Sequence, residues 1–93
     1  MNTQDSQDIV RRFFTAIYKL KQRGIIRGKH TFSVRYGINH WNLLTLEKDL
    51  SRDIFQPAWL TYLVKDYNVS ADWLLTGTGE MFTKGDKRTK VPE

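Results

Sequence analysis

The stretch that most constrains this chain is Ser33-Val34-Arg35-Tyr36-Gly37-Ile38-Asn39-His40-Trp41-Asn42-Leu43-Leu44-Thr45-Leu46-Glu47. It reads as two short helices joined by a tight turn. Ser33 and Val34 lie on the first of them. Ser33 is small, as a residue must be where two helices cross closely. Gly37 ends that helix, because the left-handed residue that closes a helix is penalised by a β-carbon. Asn39 opens the second helix, its side chain suited to an N-cap. Leu43, Leu46 and Leu50 then recur at helical spacing, so one face of the second helix is apolar.

The flanking segments extend the same pattern. A helix is expected over 6–22, capped by Ser6, with Asp8 in its positive first turn and an apolar stripe of Val10, Phe13, Phe14, Ile17 and Leu20. Gly24 ends it, and a loop leads to a second helix at about 29–36, anchored by Phe32 and Tyr36. The third helix runs from Asn39 or His40 to Lys48 or Asp49, and a loop follows through Phe55. Gln56-Pro57 starts a fourth helix, since proline suits the first helical turn, with Leu60, Leu63, Val64 and Tyr67 as its buried face. Ser70 caps a short fifth helix that Gly77 closes. No segment alternates with period two for long enough to argue a strand. The expected fold is all-α: a compact five-helix domain over residues 1–82 and a disordered basic tail over 83–93.

Charge and composition narrow the function. Up to residue 35 the basic residues are Arg11, Arg12, Lys19, Lys21, Arg23, Arg27, Lys29 and Arg35, opposed only by Asp5 and Asp8. That asymmetry suits a polyanion, although scattered Lys and Arg also serve plain solubility. With no cysteine, disulfides and thiolate metal sites are excluded. The polar, acidic start is unlike a signal peptide and no apolar run reaches membrane-spanning length, so a soluble, cytoplasmic protein is expected. His30 and His40 are the only histidines, the carboxylates are not paired, and no glycine loop could cradle phosphate. The expectation is a protein without catalytic activity, cofactor, metal, membrane association or small-molecule ligand.

Residues 33–47 carry the grammar of a helix-turn-helix, whose second helix can enter the DNA major groove. Two segments also resemble the DNA-binding domain of the phage repressor and Cro family, in the form common among small bacterial or mobile-element regulators. One is the helix-turn-helix itself, Phe32-Ser33 through Gly37-Ile38 to Leu43, Leu46 and Glu47. The other is Val69-Ser70-Ala71-Asp72-Trp73-Leu74-Leu75-Thr76-Gly77, followed by Gly79-Glu80-Met81-Phe82. The resemblance covers roughly residues 8 to 82. It departs from the family at Gly28 and Lys29, where Thr-Gln is usual, and at Asp49, where a glycine usually follows the recognition helix.

The resemblance implies a repressor-like domain that reads double-stranded DNA as a homodimer, paired through the end containing the fourth and fifth helices. A two-fold dimer favours a palindromic site. It assigns base contacts to His40, Trp41 and Thr45, and phosphate contacts to Asn39, Asn42 and Lys48. Chemistry adds detail: His40 can donate to guanine N7 or O6, and Thr45 can meet a thymine methyl or hydrogen bond with either partner. Leu44, one turn after His40, is a further base-contact candidate through thymine methyls. Lys29 and Arg27 sit before the second helix, where phosphate can also be received. Glu47 is expected to pair with a basic residue of the first helix, Lys19 or Arg23. Trp59, Trp73 and the 79–82 segment are read as core, with a dimer contact as the alternative. A different class of function stays open: Trp41 and Leu44 could bury each other or a protein partner, making the chain an adaptor or antitoxin-like interaction module.

Overall fold

The computed structural model describes residues 3–83 and is all-α. Its helices are α1 (Gln4–Gln22), α2 (Lys29–Tyr36), α3 (His40–Lys48), α4 (Ala58–Tyr67) and α5 (Ala71–Thr76). Among the described residues the strand-like pairing is one isolated antiparallel bridge, Val69 with Phe82. None of these helices is long and apolar enough to cross a membrane. The chain divides into two units, Met1–Phe55 and Gln56–Glu93.

In the first unit α1 supplies the largest apolar face. Val10, Phe13, Phe14, Ala16, Ile17 and Leu20 are all buried. Phe13 lies at the centre of an aromatic cluster, edge-to-face with Phe14 (ring centroids 5.1 Å), Phe32 (5.6 Å) and Phe55 (5.2 Å). The start of α1 differs from expectation. Thr3, not Ser6, is the N-cap: its Oγ1 accepts the Ser6 N–H at 3.1 Å. The earlier start adds Gln4 to the helix, one turn before Asp8. Gln4 Nε2 and Arg11 then both donate to the Asp8 carboxylate, at 2.9 and 2.7 Å. The Gln4 hydrogen bond, then that of Arg11, holds the Asp8 carboxyl below the usual carboxylate range.

The α2 and α3 helices pack together in this unit. Phe32 and Ser33 of α2 and Leu43 and Leu46 of α3 are buried between them and their surroundings. Gly37 is left-handed (φ 67°), and the Ile38 N–H donates to the Ser33 carbonyl at 2.9 Å, closing α2. Asn39 then caps α3, its Oδ1 accepting the Asn42 N–H at 3.1 Å. An added β-carbon at Gly37 would meet nothing within 4 Å, so backbone conformation rather than space requires glycine there. Gly37→Ala is therefore expected to destabilise the protein by about 1–2 kcal/mol, measured by urea unfolding. A neutral substitution would contradict this account of the turn.

The second unit is built on α4 and α5. Trp59, Leu63 and Tyr67 are the buried residues of α4. Leu60 and Val64, expected in the core, are only half-buried and line a groove with Ala71, Leu74 and Leu75. The reason is helical phase: residues 59, 63 and 67 share the more buried stripe at i, i+4 spacing. Ser70 caps α5 as expected, accepting the Trp73 N–H at 3.1 Å. Trp73, Met81 and Phe82 are half-buried, whereas Gly79 and Glu80 are exposed. The segment after α5 returns to α4: Ser70 N–H donates to the Met81 carbonyl and Thr83 N–H to the Asn68 carbonyl, each at 2.8 Å. Thr83, assigned by its composition to the tail, is thus held by backbone hydrogen bonding. The rest of the expected tail lies outside the described residues.

Candidate nucleic-acid interface

Helix α3 is nine residues long and sorts its side chains by phase. At about 100° per residue, His40, Trp41, Leu44, Thr45 and Lys48 fall within an arc of about 140°, opposite buried Leu43 and Leu46. Exposure along this arc is uneven. Trp41 is 74% exposed and Lys48 is exposed, whereas His40, Leu44 and Thr45 are half-buried. Asn39 and Asn42 are exposed at the start of the helix. Because Asn39 Oδ1 is committed to the cap, its amide NH2 is the group left to donate outward, which suits a phosphate oxygen.

His40 is anchored from below. Its Nδ1 lies 3.2 Å from Ser33 Oγ, which in turn donates to the His30 carbonyl at 2.9 Å. The His30 ring meets the His40 ring edge-on, with centroids 4.9 Å apart. This hydrogen bond across the turn, between residues seven apart, carried no signal in the sequence.

Lys29 and Glu47 form an ion pair, Nζ to Oε1 at 2.8 Å. Sequence reasoning expected Lys19 or Arg23 as the partner of Glu47. Helix polarity gives the reason for Lys29. A cation in the first turn of α2 and an anion in the last turn of α3 each oppose the local helix dipole, and pairing them relieves both. With about a third of Lys29 and two-fifths of Glu47 side chains exposed, the pair contributes at most about 1 kcal/mol. It ties the start of α2 to the end of α3. Gly28, the N-cap of α2, offers no side-chain acceptor to that helix start. Arg27 is exposed beside it.

Asp49 ends α3 with extended backbone (φ −142°), a conformation any residue adopts, so no glycine is needed. Its Oδ1 accepts the Ser51 hydroxyl at 2.6 Å and the Ser51 N–H at 3.1 Å. The hydroxyl bond, then the backbone bond, holds the Asp49 carboxyl below the usual carboxylate range, so this anion persists beside α3.

Comparison with protein-family models, curated proteins and solved structures gives no match. Sequence reasoning missed one further surface beside this site. Val34 is 67% exposed, and with Ile25, Arg27, His30, Thr31 and Arg35 it lines an open, shallow pocket. The signal was present in α2, where Val34 falls out of phase with buried Phe32 and Ser33. Among the described residues no group of three or more His, Cys, Asp or Glu side chains could hold a metal ion.

Proposed function

We propose that this protein is a sequence-specific double-stranded DNA-binding regulator of transcription. In this reading it resembles the phage repressor and Cro family, acts in the cytoplasm without catalytic activity, and binds as a homodimer on a two-fold site. The observation that carries the reading is the outward arc of α3, presented after a capped, glycine-closed turn from α2. A nine-residue helix is about 13 Å long, commensurate with a major groove about 12 Å wide. In this reading His40, Trp41, Leu44 and Thr45 face base edges, and Asn39, Asn42, Lys48, Lys29 and Arg27 meet the backbone. The apolar groove between α4 and α5, with Leu75 exposed at its edge, favours pairing of two copies.

Lys29 must leave or share Glu47 to hold a phosphate, and this gives a sharp test. Lys29→Ala is expected to weaken binding to all duplexes alike and to flatten log affinity against log salt by about 0.9. Glu47→Gln, which frees the lysine, is expected to strengthen binding to all duplexes. Titration of labelled duplex over a salt series measures both. An unchanged slope in Lys29→Ala would make the ion pair purely structural.

One observation favours a second reading, a protein-interaction module that keeps the fold without reading an operator. Trp41, Val34 and Ile25 are all exposed apolar side chains of the first unit. An apolar protein interface responds weakly to salt, so the same titration separates the two.

A further inference from the structure

Ser33 has one hydroxyl proton and two neighbours that could take it, the His30 carbonyl at 2.9 Å and His40 Nδ1 at 3.2 Å. If the proton goes to His40, the Ser33 oxygen faces the His30 carbonyl oxygen with no hydrogen between them, and one hydrogen bond is lost. If it goes to the His30 carbonyl, His40 Nδ1–H can donate to the same hydroxyl oxygen, and both bonds form. The second arrangement keeps both hydrogen bonds, and Ser33, at 2% exposure, has little water nearby to replace one left unmade. A neutral imidazole carries one proton. With that proton on Nδ1, Nε2 holds only a lone pair. The two nitrogens flank Cε1, so anchoring Nδ1 on Ser33 turns Nε2 away from the anchor. Among the described residues Nε2 has no hydrogen-bond partner.

We propose that Ser33 is a specificity-determining positioning residue: by keeping the His40 proton on Nδ1, it makes Nε2 an acceptor that selects an amino-bearing base edge. The inference rests on the DNA reading of α3 above. Adenine N6 and cytosine N4 present donors in the major groove, whereas guanine N7 and O6 and thymine O4 present acceptors. An Nε2 lone pair pairs with the first group and is repelled by the second. This reverses the sequence expectation that His40 donates to guanine. Which nitrogen is protonated follows from the hydrogen bond the other makes, so Ser33 controls the readout without touching DNA.

The test has two arms, run on the full chain at one fixed pH with the imidazole neutral. Long-range proton–nitrogen correlation of histidine-labelled protein reports the tautomer with no DNA present. Selection from a random duplex library, for the parent and for Ser33→Ala, reports base preference. Alanine fits a small buried position, and circular dichroism verifies folding; if Ser33→Ala does not fold, the parent tautomer and His40→Ala selection decide. The expected result is an Nδ1–H ring in the parent and a larger Nε2–H fraction in Ser33→Ala. An adenine or cytosine preference at one position of each half-site then falls about tenfold in Ser33→Ala and vanishes in His40→Ala. A parent ring protonated on Nε2 overturns the proposal, as does a base preference indifferent to Ser33→Ala. An Nδ1–H ring in a protein that enriches no sequence overturns the DNA reading, and with it the role in specificity.

Discussion

Phe13→Ala is expected to cost about 3–5 kcal/mol of folding free energy, the largest loss for any single truncation considered in this chain. Phe13 is fully buried and its ring makes three edge-to-face contacts, to Phe14, Phe32 and Phe55. Truncation removes the transfer free energy of the ring, leaves a cavity, and takes away three aromatic pairings at once. Small domains have about 5–15 kcal/mol in total, so the variant would stand near its unfolding threshold. Tyr18→Ala supplies the control on the same helix. Tyr18 is 60% exposed, and its loss is expected to shift stability by no more than about 0.5 kcal/mol. Urea unfolding of both variants measures the contrast. A Phe13→Ala loss below about 1 kcal/mol would mean that α1 and α2 are not held by this cluster.

Thr45→Ala is the functional counterpart. In the DNA reading it costs about 1–3 kcal/mol on the selected sequence and relaxes base preference at one position of each half-site. Thr45 is half-buried on the outward arc of α3, and threonine carries both a methyl and a hydroxyl with which to meet a base edge. Alanine keeps the helix, which confines the expected effect to recognition. Affinity for the selected duplex and for single-base variants of it measures the effect. Equal loss across all bases at every position would move Thr45 from readout to packing.

Local capping chemistry was legible in the sequence because it acts over three or four residues. Gly37, Asn39, Ser70 and Gly77 all perform the closing or capping roles their residue types suggest. The buried stripe of α1 was legible for the same reason, as were Leu43 and Leu46, since 3.6-residue spacing fixes a face. The first turn of α1 was not. Thr3 and Ser6 have equivalent capping chemistry, and the start at Thr3 adds the Gln4–Asp8 hydrogen bond.

The outward arc of α3 was legible by residue, and the contacts of its neighbours were not. The arc of α3 follows from helical phase alone, but partners of two α3 side chains come from α2. Lys29 reaches Glu47, and Ser33 reaches His40, across a turn whose geometry no spacing rule supplies. The shared surface of Val34 and Ile25 escaped for a related reason. Each is an ordinary apolar residue in its own segment, and only tertiary structure brings them to one exposed pocket.

The central claim, that the outward face of α3 reads DNA sequence, is tested most directly by selection from a random duplex library at near-physiological salt. Sequencing of the retained DNA is predicted to show a two-fold motif whose half-sites lie about one helical turn apart. Absence of any enriched motif, with the protein shown to be folded, would contradict the claim and direct attention to what covers Trp41 and Val34.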